Sequence, residues 1–404
     1  MTSPQALDGV RVLDLTHHIA GPFCTKLLAD YGADVIKIER PGTGDPSRQE
    51  GPFFHDEPHP EGSALFLHLN TNKRSVCLNL ATDEGRDIAL RLAARSHIVV
   101  ENFRPGTLDR LGLGYEALRS VRPDIVLVSI SNFGQTGPYR DLPMSEITAY
   151  AMGGAMNATG HRDREPLKLG GNVVQYHAGA NAAFAAMVAL WRVEAGAPGD
   201  HVDVAIYETQ AGSRDRRTIY LTAYSYSGYT SYRSGSETRL AGGVRIAADG
   251  YVYLAGYGKR LPSFLRMIGR EDLADDPRVS DAGAELDAAW VEEIENSYLI
   301  WARERPKAQI VAEAQEHGIL AGAVNNIDDL FTNPQFVARP PWDVIDHPHT
   351  GPLHYPGGPF RMSATPRRTG GRAPLLGEHT RQVLQDELGM TESELTRLSE
   401  EGVI

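Results

Sequence analysis

Cysteine is scarce, at two residues in 404, and that excludes a disulfide framework. Cys24 and Cys77 fall inside apolar periodic segments, without a neighbouring metal-ligand pair, so both are expected as reduced, buried thiols. No block of Lys or Arg occurs. With 40 basic residues against 52 acidic ones, a net charge of −12, the chain lacks the basic stripe of a nucleic-acid binder. No apolar run approaches the roughly 20 residues that span a bilayer. The opening MTSPQALDG carries no charged-then-apolar leader. Several motifs are also missing: GxGxxG after the first strand, GxxxxGK[ST], GxSxG and HExxH. The apolar share of 41% is too high for a disordered chain. The expectation is a soluble cytoplasmic enzyme of two or three domains, with no nucleic acid and no membrane as partner.

What is present reads as alternating strands and helices. Val10–Leu15 is an apolar strand ending at the Gly21-Pro22 helix start, with Phe23, Leu27 and Leu28 at helical spacing and Gly32 past the helix end. Ala33–Glu39 follows as a second strand. Further strands are expected at Ser75–Leu80, His97–Glu101, Asp124–Ile130 and His201–Ile206. Thr82 caps a helix that carries acids in its first turn and Arg91 and Arg95 in its last. This alternation predicts an α/β fold, an open parallel sheet with helices on both faces. Ala178–Glu194 is Ala-rich and reads as a buried helix. Asp249-Gly250 between two alternating runs is a hairpin signal. The expected organisation is a large domain over 1–206, a linker helix over 207–225, a small α+β domain over 226–320 and a return to the large domain over 321–404.

Two sites carry candidate chemistry on residue type alone. The helix start at Gly21-Pro22, at the carboxyl end of a strand, favours an anionic group, although every such unit has one. Asn102-Phe103-Arg104-Pro105-Gly106, with Arg110, sets cations and an aromatic ring at a strand end, which suits a phosphorylated purine ligand; plain surface arginines are the other reading. His17-His18 point to opposite faces and share no metal, with one of them expected to be buried. Asp346-His347-Pro348-His349 reads as a polar turn rather than a metal cluster, and no metal site is expected.

Longer motifs add to this. LDGVRVLDL (7–15), AGPFCT (20–25), LADYGADVIKIERPG (28–42), NTNKRSVCLNL (70–80), ENFRPGTLDRLGLGYEAL (101–118), SISNFGQTGPY (129–139) and APLLGEHTRQVL (373–384) together resemble the family III CoA-transferases, the CaiB/BaiF group. The resemblance implies a discontinuous Rossmann-like large domain, a small domain and an interlocked-ring dimer. It also implies coenzyme A or acyl-CoA as substrate, with no covalently bound cofactor. The CoA contacts carried over are Ala20, Arg40, Leu78, Asn79, Leu80, Ala81, Asn102, Phe103, Arg104 and Arg110. The arginines would meet phosphates and the strand-end backbone the adenosine.

At the family's nucleophile this chain departs. In those enzymes an Asp just before the Ala-rich helix attacks the acyl-CoA thioester; here the position reads Gln175, a neutral amide that cannot form the anhydride. Lys168–Asn181 contains no Asp or Glu, Asp163 and Glu165 fall in a polar stretch read as a surface loop, and no catalytic residue is assigned. The frequent Tyr-Asp/Glu pair reads Ser145-Glu146, and a Gly-rich lid is reduced to Ala255–Lys259. The racemase branch would need proton carriers near Ser145 and Gln175, and neither side chain titrates near neutral pH. The chain thus resembles the Asp-lacking subunit of heteromeric members such as succinyl-CoA:benzylsuccinate CoA-transferase. That resemblance implies a paralogous Asp-bearing partner in a heterodimer or heterotetramer, and a role in aromatic degradation. Two alternatives stay open: a stand-alone acyl-CoA isomerase or lyase using Glu146, His161 or His177, and a non-catalytic acyl-CoA-binding protein.

Overall fold

The short apolar runs become six strands: β1 (Arg11–Asp14), β2 (Asp34–Glu39), β3 (Lys73–Cys77), β4 (Ile98–Glu101), β5 (Val126–Ser131) and β6 (Asp200–Ala205). They pair in parallel throughout, in the order β3-β2-β1-β4-β5-β6. This is a Rossmann-like open sheet, and its order reverses between β1 and β4. The computed structural model describes residues 4–161, 163–212, 217–228, 233, 240–280 and 287–404. Two compact units divide the chain: Met1–Thr159 with Pro166–Ser231 and Pro341–Ile404, and Gly160–Glu165 with Tyr232–Pro340.

In the first unit the helices α1 (Ala20–Asp30), α2 (Ala64–Leu69), α3 (Asp83–Ala93), α4 (Thr107–Arg110), α5 (Tyr115–Val121), α6 (Glu146–Met152) and α7 (Val173–Glu194) connect or cover these strands. Every residue of β5 is buried, as parallel strands covered on both faces must be. On one face Val12, Val35, Val100, Val126 and Val128 meet Cys24 and Leu28 of α1 and Ala178, Ala182 and Ala186 of α7. On the other, Leu13, Ile36, Val99 and Leu127 meet Ile88 and Leu92 of α3. Val383, Leu384, Leu395 and Leu398 complete that second face, from helices Thr380–Leu388 and Glu392–Glu400, so the chain's tail returns to the sheet. Each such side chain contributes about 1.5–3 kcal/mol through burial. Cys24 is buried as expected, but Cys77 is only partly so.

α7 starts at Val173, five residues before the Ala-rich run, because a cap from elsewhere in the chain holds its first turn. By length and composition alone it passes as a membrane span, contrary to the expectation that no segment does. One side of it, from Val174 through Ala178, Gly179, Ala182 and Ala186 to Leu190, is buried in the unit's core. The small residues let the backbones meet: a Cβ on Gly179 would lie 2.4 Å from the Ala20 carbonyl oxygen of α1.

The expected helix after β6 is divided into α8 (Ile206–Gly212) and α9 (Arg217–Ser227), with residues 213–216 outside the described residues. In the second unit β7 (Gly242–Ala247) and β8 (Gly250–Ala255) form the hairpin at Asp249-Gly250, and β9 (Leu320–Ala323) pairs with β8. Helices α10 (Leu261–Met267), Ala288–Ala302 and Lys307–Glu316 pack on this sheet through Phe264, Ile294, Tyr298 and Ile310. Residues 281–286, which precede the second of these helices, lie outside the described residues. Residues 321–340 fall in this second unit. Asp346-His347 is not part of a turn: it ends β10 (Trp342–His347), which pairs with β11 (Gly351–Pro356), and His347 is buried. Only Pro348-His349-Thr350 turns the chain, because the alternating run before it has a partner strand to bond.

Candidate active site

Parallel strands end on one edge, and where the order reverses a crevice opens between β1 and β4. The Asn102 side chain closes its floor. It accepts the His17 N–H at 2.8 Å and donates to the His17 carbonyl at 2.8 Å, locking the end of β1 to the end of β4. The His17 ring meets Phe103 edge-on, with centroids 5.5 Å apart. Burial and then Lys37 hold the His17 imidazole below its usual range, so the ring is neutral. Neither His17 nor His18 is fully buried; His18 is exposed, with φ of 62°.

Above this floor lies a cleft of ≈ 620 Å³, lined by Leu15, His17, Arg40, Thr43, Gly44, Gln49, Phe103 and Thr107, among others. Leu78, Asn79, Leu80 and Ala81 form its wall at the end of β3. Six of the CoA contacts expected from the motifs therefore meet in one place: Arg40, these four, and Phe103. Four do not line it. Ala20 is the first residue of α1, buried where α7 packs, and Asn102 lies in the floor bond. Arg104 turns to the other side of α4, and Arg110 is exposed on that helix.

A buried charge network holds the crevice from below. Both Asp14 oxygens are taken, by Thr16, Thr25 and, at 3.0 Å, by Lys73 Nζ. Burial works to raise the Asp14 carboxyl, yet Lys37, Lys73 and the hydroxyls outweigh it and hold it down to about 2. Burial presses Lys73 down to about 8, with Asp14 opposing. Lys37 bridges to the Thr16 carbonyl at 2.7 Å and to Asp45 at 2.8 Å. Arg48 grips Glu39 with two nitrogens, at 2.8 and 2.9 Å, while its guanidinium sits 3.6 Å over the Phe66 ring. Charges this buried are tolerated because each has partners.

A second cleft, of ≈ 390 Å³, lies on the other side of α4, lined by Glu101, Arg104, Gly106, Tyr115, Ser129, Gln135, Arg140 and His201, among others. Burial pushes Glu101 up to about 7, against hydrogen bonds from Ser129 and the Phe103 N–H. Ser129 Oγ in turn meets His201 Nε2 at 2.9 Å. Sequence reasoning missed this cleft and Arg140, which stands one residue past the end of the quoted SISNFGQTGPY motif.

Gln175 stands in the first turn of α7. The nearest carboxylate found there belongs to Glu146, the first residue of α6. Its Oε1 accepts the Val174 N–H at 3.0 Å, its Oε2 accepts the Gln175 N–H at 3.2 Å, and Lys168 Nζ lies 3.5 Å from Oε1. Glu146 thereby fills the capping role that no local side chain supplies to α7. Ser145 caps its own helix by a reciprocal bond with Thr148. The His177 ring is tied to Gln210 of α8 at 3.1 Å. His161, in the second unit, lies 3.9 Å from Asp163; Asp163 and Glu165 are exposed. Among the described residues no group of His, Cys, Asp and Glu is arranged to hold a metal.

The family model for CoA-transferase family III matches residues 7–380. The succinyl-CoA–D-citramalate CoA-transferase of Chloroflexus aurantiacus is 34% identical, over 99% of this chain and 98% of that protein. The succinyl-CoA:mesaconate CoA-transferase of Haloarcula hispanica is 36% identical, over 95% of this chain and 97% of its own. Among solved structures, a CaiB/BaiF family protein from Brucella suis superposes with a TM-score of 0.82 at 30% identity, covering 96% of this chain and 100% of that one.

Proposed function

The chain belongs to CoA-transferase family III, and from that premise we propose that it is the non-nucleophilic subunit of a heteromeric enzyme that moves CoA from an acyl-CoA to a carboxylic acid. The observation that carries the subunit role is the first turn of α7. Position 175 holds a neutral amide, and the Glu146 carboxylate beside it is already engaged by two helix N–H groups. The transfer needs a free carboxylate to take the acyl group, and among the described residues none is free at this position. A paralogous chain supplies it. The ≈ 620 Å³ cleft supports retained CoA binding, with the ring of Phe103 and the strand-end backbone of Leu78–Ala81 receiving the adenosine.

The donor is proposed to be succinyl-CoA and the acceptor a dicarboxylic acid, a class supported by the names of the citramalate and mesaconate enzymes. An aryl-bearing succinate of the benzylsuccinate type, in aromatic degradation, is the narrower form of that proposal. The site of action is the cytoplasm, and the assembly is an interlocked dimer. Phe184, Val188 and Trp191 support an assembled state: they lie at helical spacing on α7 and are exposed, Trp191 at 78%. A stand-alone isomerase or lyase has less support, because Glu146 and His177 are both committed to helix partners.

The test is reconstitution with the paralogous chain. Gln175→Ala in this subunit should leave turnover within about twofold, while Asp→Ala in the partner abolishes it. Loss of turnover from Gln175→Ala with an intact partner would overturn the supporting role.

A further inference from the structure

The motif that divides the two clefts gathers cations on one glycine. At Gly106, φ is +77° and the side facing the second cleft is bare: a Cβ there would lie 3.1 Å from Arg140 Nη2 and 3.6 Å from Arg110 Nη1. Arg104 lines the same cleft from two residues upstream. Like charges do not gather without reason in a chain of net charge −12. Nor do local carboxylates answer them. Among the described residues Arg140 meets one carboxylate, Asp141, at 3.7 Å, and the Arg110 guanidinium donates to the neutral Thr107 hydroxyl at 2.8 Å. Among the described residues Arg104 has no side-chain hydrogen bond or ion pair.

An independent observation lies deeper. Arg140 Nε and Gln135 Nε2 are both buried and, among the described residues, both lack a hydrogen-bond acceptor; both residues line this cleft. Buried donors without acceptors cost free energy unless a ligand supplies them. Two orphaned donors, two guanidinium groups beside Gly106 and a third, of Arg104, lining the same cleft call for a ligand with several anionic oxygens. The carboxylates nearby are engaged elsewhere: Glu101 accepts the Phe103 N–H, Asp109 is turned toward Gly114, Glu116 pairs with Arg119 at 3.9 Å, and Asp203 accepts the Gln135 backbone N–H at 2.9 Å.

We propose that Arg140 is the third member of a phosphate clamp, with Arg104 and Arg110, built around the bare Cα of Gly106. The ligand lies across α4, with its nucleoside in the larger cleft and its phosphate oxygens over Gly106, where Gln135 Nε2 and Arg140 Nε also reach them. This rests on the CoA reading above and adds to it a residue and a second cleft. The phosphate is either the 3′-phosphate or the diphosphate of CoA, and the ligands chosen for the test separate the two.

The experiment is calorimetric titration of the full chain, as purified with any accompanying partner, against CoA, dephospho-CoA, pantetheine and 3′,5′-ADP. Arg140→Ala should weaken CoA about tenfold or more at ~0.1 M salt and leave pantetheine unchanged. Arg140→Lys should recover part of the loss, since a point charge replaces a fork. If dephospho-CoA no longer senses Arg140, the clamp holds the 3′-phosphate; if it still does, the clamp holds the diphosphate. Arg140→Ala and Arg140→Gln proteins that fold normally and bind CoA like the wild type would overturn the clamp. A wild-type protein that binds 3′,5′-ADP through Arg140 but not CoA keeps the clamp and defeats the CoA reading. One that binds neither phosphate compound defeats both.

Discussion

Glu146 caps the helix that carries Gln175: its two carboxylate oxygens take the N–H groups of Val174 and Gln175, 28 and 29 residues along the chain. The acid that, among the described residues, reaches position 175 is thus spent on holding the backbone there. A carboxylate at a helix N-terminus is stabilised by the dipole it faces, which also makes it a weaker nucleophile.

Glu146→Ala should therefore destabilise the fold by about 1–2 kcal/mol through loss of the cap. Glu146→Gln, which keeps an acceptor oxygen, should cost less. Urea denaturation checks this, and an unchanged midpoint for Glu146→Ala would contradict the capping role.

Asp14→Asn should be far more damaging, by about 3 kcal/mol or more, because Lys73 would stay buried without its counter-charge. The Asp14 carboxyl sits at about 2 in the folded state, below its ordinary 3.8. Its contribution is present above the ordinary value and is lost as pH falls through about 2. Acid unfolding followed by circular dichroism should begin at higher pH in the variant.

Glu101 gives the opposite sign. Burial raises it from 4.5 to about 7, so between those values the folded state holds a proton that the unfolded state has released. Stability from this group is full below pH about 4.5 and falls as pH rises through about 7. Glu101→Gln should flatten the fall in unfolding free energy over that window, by on the order of 3 kcal/mol. An identical pH slope in both proteins would refute the assignment.

Phe184→Asp with Trp191→Asp should dissociate the proposed assembly, since both side chains stand exposed on α7 and their unit's fold does not need them. Light scattering should then report a smaller mass with unaltered secondary structure. An unchanged mass would place the interface elsewhere.

Local rules made much of the fold legible. The run before Ile130 is apolar because β5 is covered on both sides, and the Thr82 hydroxyl accepts the Gly85 N–H as its position before two acids predicts. The hairpin at Asp249-Gly250 follows from its turn residues. What local rules missed is long-range. The start of α7 depends on Glu146, and nothing between residues 168 and 175 announces it. His347 is buried because β11 pairs with its strand, although its neighbours read as a turn. The family motifs pointed to strand-end residues that line one cleft, but the division of ENFRPG between two clefts was not readable. Phe103 and Thr107 face one side of α4, while Arg104 and Gly106 face the other, where Arg140 arrives from beyond β5.

The most direct test of the non-nucleophilic subunit is mild tagged purification from the native host, with intact mass analysis of everything that co-elutes. A second chain of similar size carrying Asp at the position of Gln175 is the predicted result. A single chain that exchanges CoA between succinyl-CoA and a dicarboxylic acid by itself would contradict it.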